Sequence, residues 1–181
     1  MNNIVQTKTT YPITLAEAKK HLNIEIGFTD DDDYITQLIK EATSNAENYI
    51  DSDIALTSNV YTEYDFGGSL IVVDVSPLIT VSAISYLDDD ENATAITPGD
   101  QIIQKGLQKF NIILDDAIST IELTITFTSG YASNWPEAIK RAILLQIGDW
   151  FDVQRGSLIS KAFNDSDAFY RTLNFYKKHS Y

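Results

Sequence analysis

The sequence predicts an α+β fold: a mainly α-helical bundle with an inserted antiparallel β-meander and a C-terminal helix. Three patterns predict it. Apolar residues recur at helical spacing over residues 14–22, 30–50 and 136–153. Over residues 57–128 the pattern becomes an apolar/polar alternation interrupted by turn signals. Beyond a polar stretch at 156–164, helical spacing returns over 165–178.

Residues 1–11 are polar and aperiodic, and read as an extended arm. Thr14 followed by Glu17 three positions on is a capping box, and Leu15, Ala18 and Leu22 then share one face. Gly27 lies in the loop before the second helix, whose stripe is Ile35, Leu38, Ile39, Ala42, Ala46, Tyr49 and Ile50. Asp30 to Asp33 sit at its N-terminus, where free N–H groups and the helix dipole favour anions. In the β region, Val60, Thr62, Tyr64 and Phe66 alternate with Tyr61, Glu63 and Asp65. Gly67-Gly68 reads as a hairpin turn, with strands at 69–75 and 80–87 after it. Residues 88–92 form an acidic turn, and 93–97 pairs with 101–104 around Pro98-Gly99-Asp100. Asn111 to Leu114 is a further strand, Asp115-Asp116 a turn, and Ile121, Leu123, Ile125 and Phe127 alternate in the last strand. Short turns between consecutive strands make this a meander. Pro136 suits the first turn of the third helix, with Ile139, Ala142, Ile143, Ile147 and Trp150 as its buried stripe. The last helix places Phe169, Leu173 and Tyr176 on one face.

Length suits one domain, 1–155, followed by a C-terminal segment, 156–181, that reads as a docking element. The 181 residues carry 26 acidic and 13 basic side chains, a net charge of −13. The charge is uneven: residues 25–100 hold 17 acidic residues and one basic residue, while 136–181 hold 5 acidic and 7 basic. Such a balance disfavours nonspecific nucleic-acid binding, which draws on Lys and Arg. Without cysteine there are no disulfides, thiol nucleophiles or Cys-type zinc sites, and two histidines at 21 and 179 do not make a His-rich metal site. No segment has the roughly 20 apolar residues of a membrane helix, and the first 11 residues lack a signal-peptide core. These features place the chain in a cytosol.

No motif for catalysis stands out. The four consecutive Asp lack the alternation and central Gly of a calcium loop, so a helix N-terminal charge cluster explains them better. Asp88 to Glu91 read as a solvated turn that could also line a pore. There is no G-x-S-x-G, P-loop or G-x-G-x-x-G, and carboxylate pairs are too abundant to single one out. No cofactor, metal or catalytic residue is assigned.

The phrases Pro12-Ile13-Thr14-Leu15-Ala16-Glu17-Ala18-Lys19 with Leu22, Asp31-Asp32-Asp33-Tyr34-Ile35, Pro77-Leu78-Ile79-Thr80-Val81 through Tyr86, Thr128-Ser129-Gly130-Tyr131, and Pro136 through Leu145 with Trp150, Phe151 and Arg155 occur in this order. Together they resemble the head–tail connector (adaptor, head-completion) family of long-tailed bacteriophages, over about residues 11–155. The resemblance implies a non-enzymatic virion protein at the head–tail interface, assembled in the host cytoplasm. It also implies a ring, commonly twelvefold, beneath the capsid portal. The ring would extend the DNA channel and form the platform for head-closure and tail-completion proteins, with DNA passing through unbound and no membrane involved. Asp31, Asp32, Asp88, Asp89, Asp90 and Glu91 are the candidate channel-facing acids. Arg155, Phe169, Arg171, Leu173, Tyr176, Lys177 and Lys178 are the candidate portal-docking residues. Competing readings are a neck or tail-completion protein, an acidic DNA mimic that occupies a DNA-binding protein, and a carboxylate hydrolase using a divalent ion.

Overall fold

The structure is a computed structural model that describes residues 2–88, 92–97, 99–106, 108–154 and 167–178. The chain divides into two compact units. Met1–Thr10 and Ala55–Ala132 form a β unit, and Tyr11–Ile54 and Ser133–Tyr181 form a helical unit.

The predicted mainly helical bundle is overturned. Among the described residues, a single six-stranded antiparallel sheet holds more of the chain than the four α-helices do. The strands are β1 (Asn2–Thr10), β2 (Leu56–Val73), β3 (Leu78–Leu87), β4 (Ala93–Ala95), β5 (Gln101–Lys105) and β6 (Phe110–Ser129). They run in the order β1-β2-β6-β3-β4, with β5 also pairing β6. The 20-residue β6 is therefore the centre. β2 lies along one side of it, while the other side is shared by β3, opposite 123–129, and β5, opposite 110–114.

This order is not a simple meander, and four sequence expectations change with it. The polar arm is a strand, with Val5 opposite Val60. Gly67-Gly68 is not a hairpin turn but lies inside β2, opposite Ser119 and Ile118. Asp115-Asp116 lies inside β6. The two short strands pair with β3 and β6 instead of each other. Alternation reveals that a segment is a strand but not its distant partner, and a strand glycine also marks a bend or bulge.

A bend is what the glycines supply. The β2/β6 register shifts between Gly68 and Leu70, and Gly68 takes φ 143°, a conformation closed to most side chains. Phe110 and Phe127, both on β6, bring their ring centroids to 5.0 Å. A straight strand would separate them by about 55 Å, so the sheet folds over on itself. One layer holds β1, the first part of β2, the second half of β6, β3 and β4. The other holds the end of β2, the start of β6, and β5. Ile71, Val73, Ile112 and Leu114 meet Tyr61, Ile84, Leu123 and Ile125 in one core. Lys105 Nζ donates to the Ile79 carbonyl at 2.6 Å across the fold. The buried polar Asn59 is satisfied across three strands: it accepts from Gln6 Nε2 at 3.1 Å and donates to Ser129 Oγ at 2.7 Å. Burial pushes the Tyr61 hydroxyl up to about 12; the Asn2 contact opposes this, and the 2.8 Å bond that the hydroxyl donates to Glu63 adds to it.

The helical unit contains α1 (Leu15–His21), α2 (Asp32–Ile50), α3 (Glu137–Gln154) and α4 (Asp167–Leu173), with a 3-10 turn at Asn174–Tyr176. Ile35, Ile39, Ala42 and Ala46 of α2, Ile139, Ile143 and Ile147 of α3, and Phe169 and Leu173 of α4 pack in its core. Thr14 makes both bonds of the capping box with Glu17. Glu17 also accepts from Lys140 Nζ at 2.7 Å, joining α1 to α3. Burial alone would push the Glu17 carboxyl up, but its bonds from Lys140 and Thr14 outweigh this and hold it below its ordinary value. The same hydrogen bond raises Lys140. Glu47 accepts the Ile54 backbone N–H at 2.9 Å, and Trp135 Nε1 donates to the Ile54 carbonyl at 2.9 Å, so the chain leaving α2 is pinned from both sides.

Candidate functional site

No group of His, Cys, Asp or Glu able to hold a metal ion occurs among the described residues. The candidate surfaces are those the charge pattern and the C-terminal segment suggested.

The acidic run at the start of α2 has two kinds of member. Asp30 and Asp33 are exposed, whereas Asp31 and Asp32 are half-buried. Asp31 is the N-cap residue, and Asp32 pairs with Lys19 Nζ at 2.5 Å. Lys19 is only 2% exposed and also donates to the Ile26 carbonyl at 3.1 Å. A buried ammonium needs a partner charge, and Asp32 supplies it. Its proximate task is therefore structural. Glu25 to Asp31 form the loop that leads into this pair, and the loop carries Ile26, 71% exposed, and Phe28, 44% exposed. Nothing in the local pattern around α1 marks Lys19 as buried.

Asp88 is half-buried at the end of β3. Its carboxylate accepts the Asn92 backbone N–H at 2.8 Å, and its own N–H donates to the Asn92 carbonyl at 3.0 Å, which closes the loop. Asp89, Asp90 and Glu91 lie outside the described residues. The acidic stretch 25–100 is divided between the two units: nine of its 17 acids fall in the helical unit and eight in the β unit.

Within the C-terminal segment, the described residues 167–178 are anchored to the helical unit. Phe169 and Leu173 are fully buried. Phe169 packs on Tyr170 at 5.0 Å, Tyr170 stands edge-on to Tyr49 of α2 at 4.8 Å, and Lys177 Nζ sits 4.7 Å from the Tyr49 ring centre. The Lys178 N–H donates to the Ile50 carbonyl at 3.0 Å. Phe169 and Leu173 thus hold the segment to its own unit and present nothing to a partner. Tyr176 and Lys178 are half-buried, Arg171 and Lys177 are exposed, and Arg155 lies outside the described residues. The apolar side chain that faces out is Phe175, 89% exposed, which lies between Arg171 and Lys177 in sequence. Sequence reading passed over it, although it falls off the 169/173/176 stripe and so could have been singled out.

Residues 12–105 match the sequence model of a family described as phage gp6-like head-tail connector protein. The chain belongs to this family. The match contains the Pro12 and Pro77 phrases and stops short of the Thr128 and Pro136 ones. No curated protein matches the connector chain by sequence. Its fold is similar to solved structures from gene transfer agent (GTA) particles. A chain in the neck of an empty GTA particle computed with C6 symmetry aligns with TM-score 0.75 and 16% identity, covering 100% of this chain and 97% of that one. A chain in the virion of a native GTA particle aligns with TM-score 0.74 and 16% identity, over 98% and 97%. A chain in the neck of a native GTA particle computed with C12 symmetry gives 0.69 and 16%, over 100% and 97%.

Proposed function

We propose that this connector is a structural, non-catalytic component of a virion neck. It forms a ring between the capsid portal and the tail, extends the DNA channel, and offers a platform to head-closure or tail-completion proteins. The family match over residues 12–105 carries this reading. Supporting it, the same fold occurs in particle necks computed with C6 and C12 symmetry.

Charge fits a conduit. A duplex slides past a surface that does not neutralise its phosphates, and an acidic wall repels it. Of the described acids, Asp30 and Asp33 are exposed and available for this; Asp31, Asp32 and Asp88 contribute field from half-buried positions. The wild-type chain is expected not to retard duplex DNA at low salt, and Asp30→Lys with Asp33→Lys to begin to do so. Tight wild-type binding would overturn the conduit reading.

Portal docking falls to Arg171, Phe175 and Lys177, all exposed, of which the aromatic and the Arg are residue types enriched at protein interfaces. Removing residues 156–181 would also take Phe169 and Leu173 from the core, so surface variants separate docking from folding. Phe175→Asp is expected to keep the fold and weaken co-sedimentation with the portal protein at least tenfold. Unchanged co-sedimentation would remove this face from the proposal.

A further inference from the structure

The folded-over sheet has two outward faces, and both are apolar at positions where the β unit as a whole is acidic. The unit carries 11 Asp and Glu against three Lys. On one layer, pairing sets Leu70, Ile113 and Ile102 side by side across three strands. Leu70 is 53% exposed, Ile102 58%, and Val72, next on the same face, 42%. On the other layer, Val5 and Val60 are directly paired and are 57% and 38% exposed. Neighbouring rows there are Asn3–Thr62–Thr124 and Thr7–Ser58–Thr128, all uncharged. Because the inner faces of the two layers meet at Phe110 and Phe127, these outer faces look in opposite directions.

We propose that these two faces are the contact between successive copies of the chain, the Leu70–Ile113–Ile102 row of one copy, with Val72, packing on Val5 and Val60 of the next. The proposal rests on the ring reading above and names the surfaces that build the ring. Two different patches on opposite sides of one unit make a head-to-tail contact, the kind that closes into rings. Acidic copies repel wherever carboxylates approach, so these rows without a carboxylate are where neighbours meet at least electrostatic cost. Exposed apolar side chains clustered on adjacent strands also call for a cover that scattered ones do not.

The chain has no cysteine, which makes disulfide trapping clean. Val60→Cys and Ile102→Cys are made as separate full-length single variants, mixed in equal amounts at high concentration, and oxidised. The mixed 60–102 dimer is expected well above its random share, and the V60C/I102C double variant is expected to give a ladder of linked oligomers. A random distribution, or an excess of 60–60 or 102–102 dimers, overturns the proposed contact. Native mass measurement of the ladder and of wild-type protein, each alone and mixed with the portal protein, separates the two ideas. Linked open chains without rings keep the contact and sink the ring reading. Wild-type rings without 60–102 links sink the contact alone. Neither rings nor links sinks both. Unchanged far-UV circular dichroism of each variant confirms that folding is not the cause.

Discussion

The β unit and the helical unit solve the problem of making a core in different ways. In the helical unit, each helix buries a stripe that repeats within a few residues, and polar bonds lock the ends: Thr14 with Glu17, Glu47 with Ile54, Lys19 with Asp32. In the β unit, beside the local β3/β4 and β5/β6 hairpins, the core depends on long-range pairing or on a bend, as with Val5 opposite Val60, Tyr61 opposite Ile125, and Phe110 on Phe127. The helical unit keeps a charge inside, and its exposed apolar side chains Ile26, Phe28 and Phe175 sit on a loop and a terminal turn, while the β unit exposes apolar side chains on paired strands. The first is a cost met by a partner residue of the same chain. The second is a surface that suits a partner of another chain.

Cavities should act locally if each unit is held by its own core. Phe127→Ala is expected to cost about 4 kcal/mol and to speed hydrogen exchange in β2 and β6 more than in α2 and α3. Ile143→Ala should do the reverse, at about 3 kcal/mol. Equal loss of protection in both units for both variants would break the comparison.

The buried pair comes next. Asp32→Asn strands the Lys19 ammonium and is expected to cost about 3 kcal/mol by chemical denaturation. Adding Lys19→Met removes the stranded charge and should recover most of that. If Asp32→Asn is neutral, the pair is not what holds the 25–31 loop.

A smaller effect sharpens the bend. Gly68→Ala meets no neighbouring atom but forces a side chain into φ 143°, with an expected cost of about 1 kcal/mol. No change in the denaturation midpoint would show that β2 does not depend on glycine there.

The smallest effect is titratable. Glu17 has its carboxyl lowered on folding, so its contribution is present above the ordinary carboxylate range and disappears as pH falls through its lowered value. Lys140 is raised, so its contribution holds up to the ordinary lysine range and fades as pH rises through its raised value. The pair is partly exposed, and Lys140→Met should remove less than about 1 kcal/mol at neutral pH. Its stability difference from wild type should shrink in acid and again in strong alkali; a constant difference across pH would remove the ion pair from the account.

The same contrast explains what was legible. Helix positions, the capping box and the stripes through Ile35, Ile143 and Leu173 follow from local period and local chemistry, and the structure keeps them. Strand character was legible too, but its arrangement was not. Nothing near Gly67-Gly68 says whether the chain turns back or bends onward, because the answer lies in Ser119 and Ile118, some fifty residues away. Treating the strands as a local meander made the sheet look like an insertion into a helical bundle, when it is the larger element. At the candidate site, composition located the acids and the cations but not their burial. Asp32 is committed to Lys19, Phe169 and Leu173 to the core, and Phe175 is left facing out. Burial depends on neighbours that only the folded chain assembles.

The central claim, a ring-forming connector that seats on a portal, is tested most directly by measuring the mass of the purified full-length protein alone and after mixing with its portal protein. A portal-bound species containing a closed ring of copies of this chain is expected, whether or not the free protein is monomeric. A chain that stays free of the portal at every concentration would contradict it.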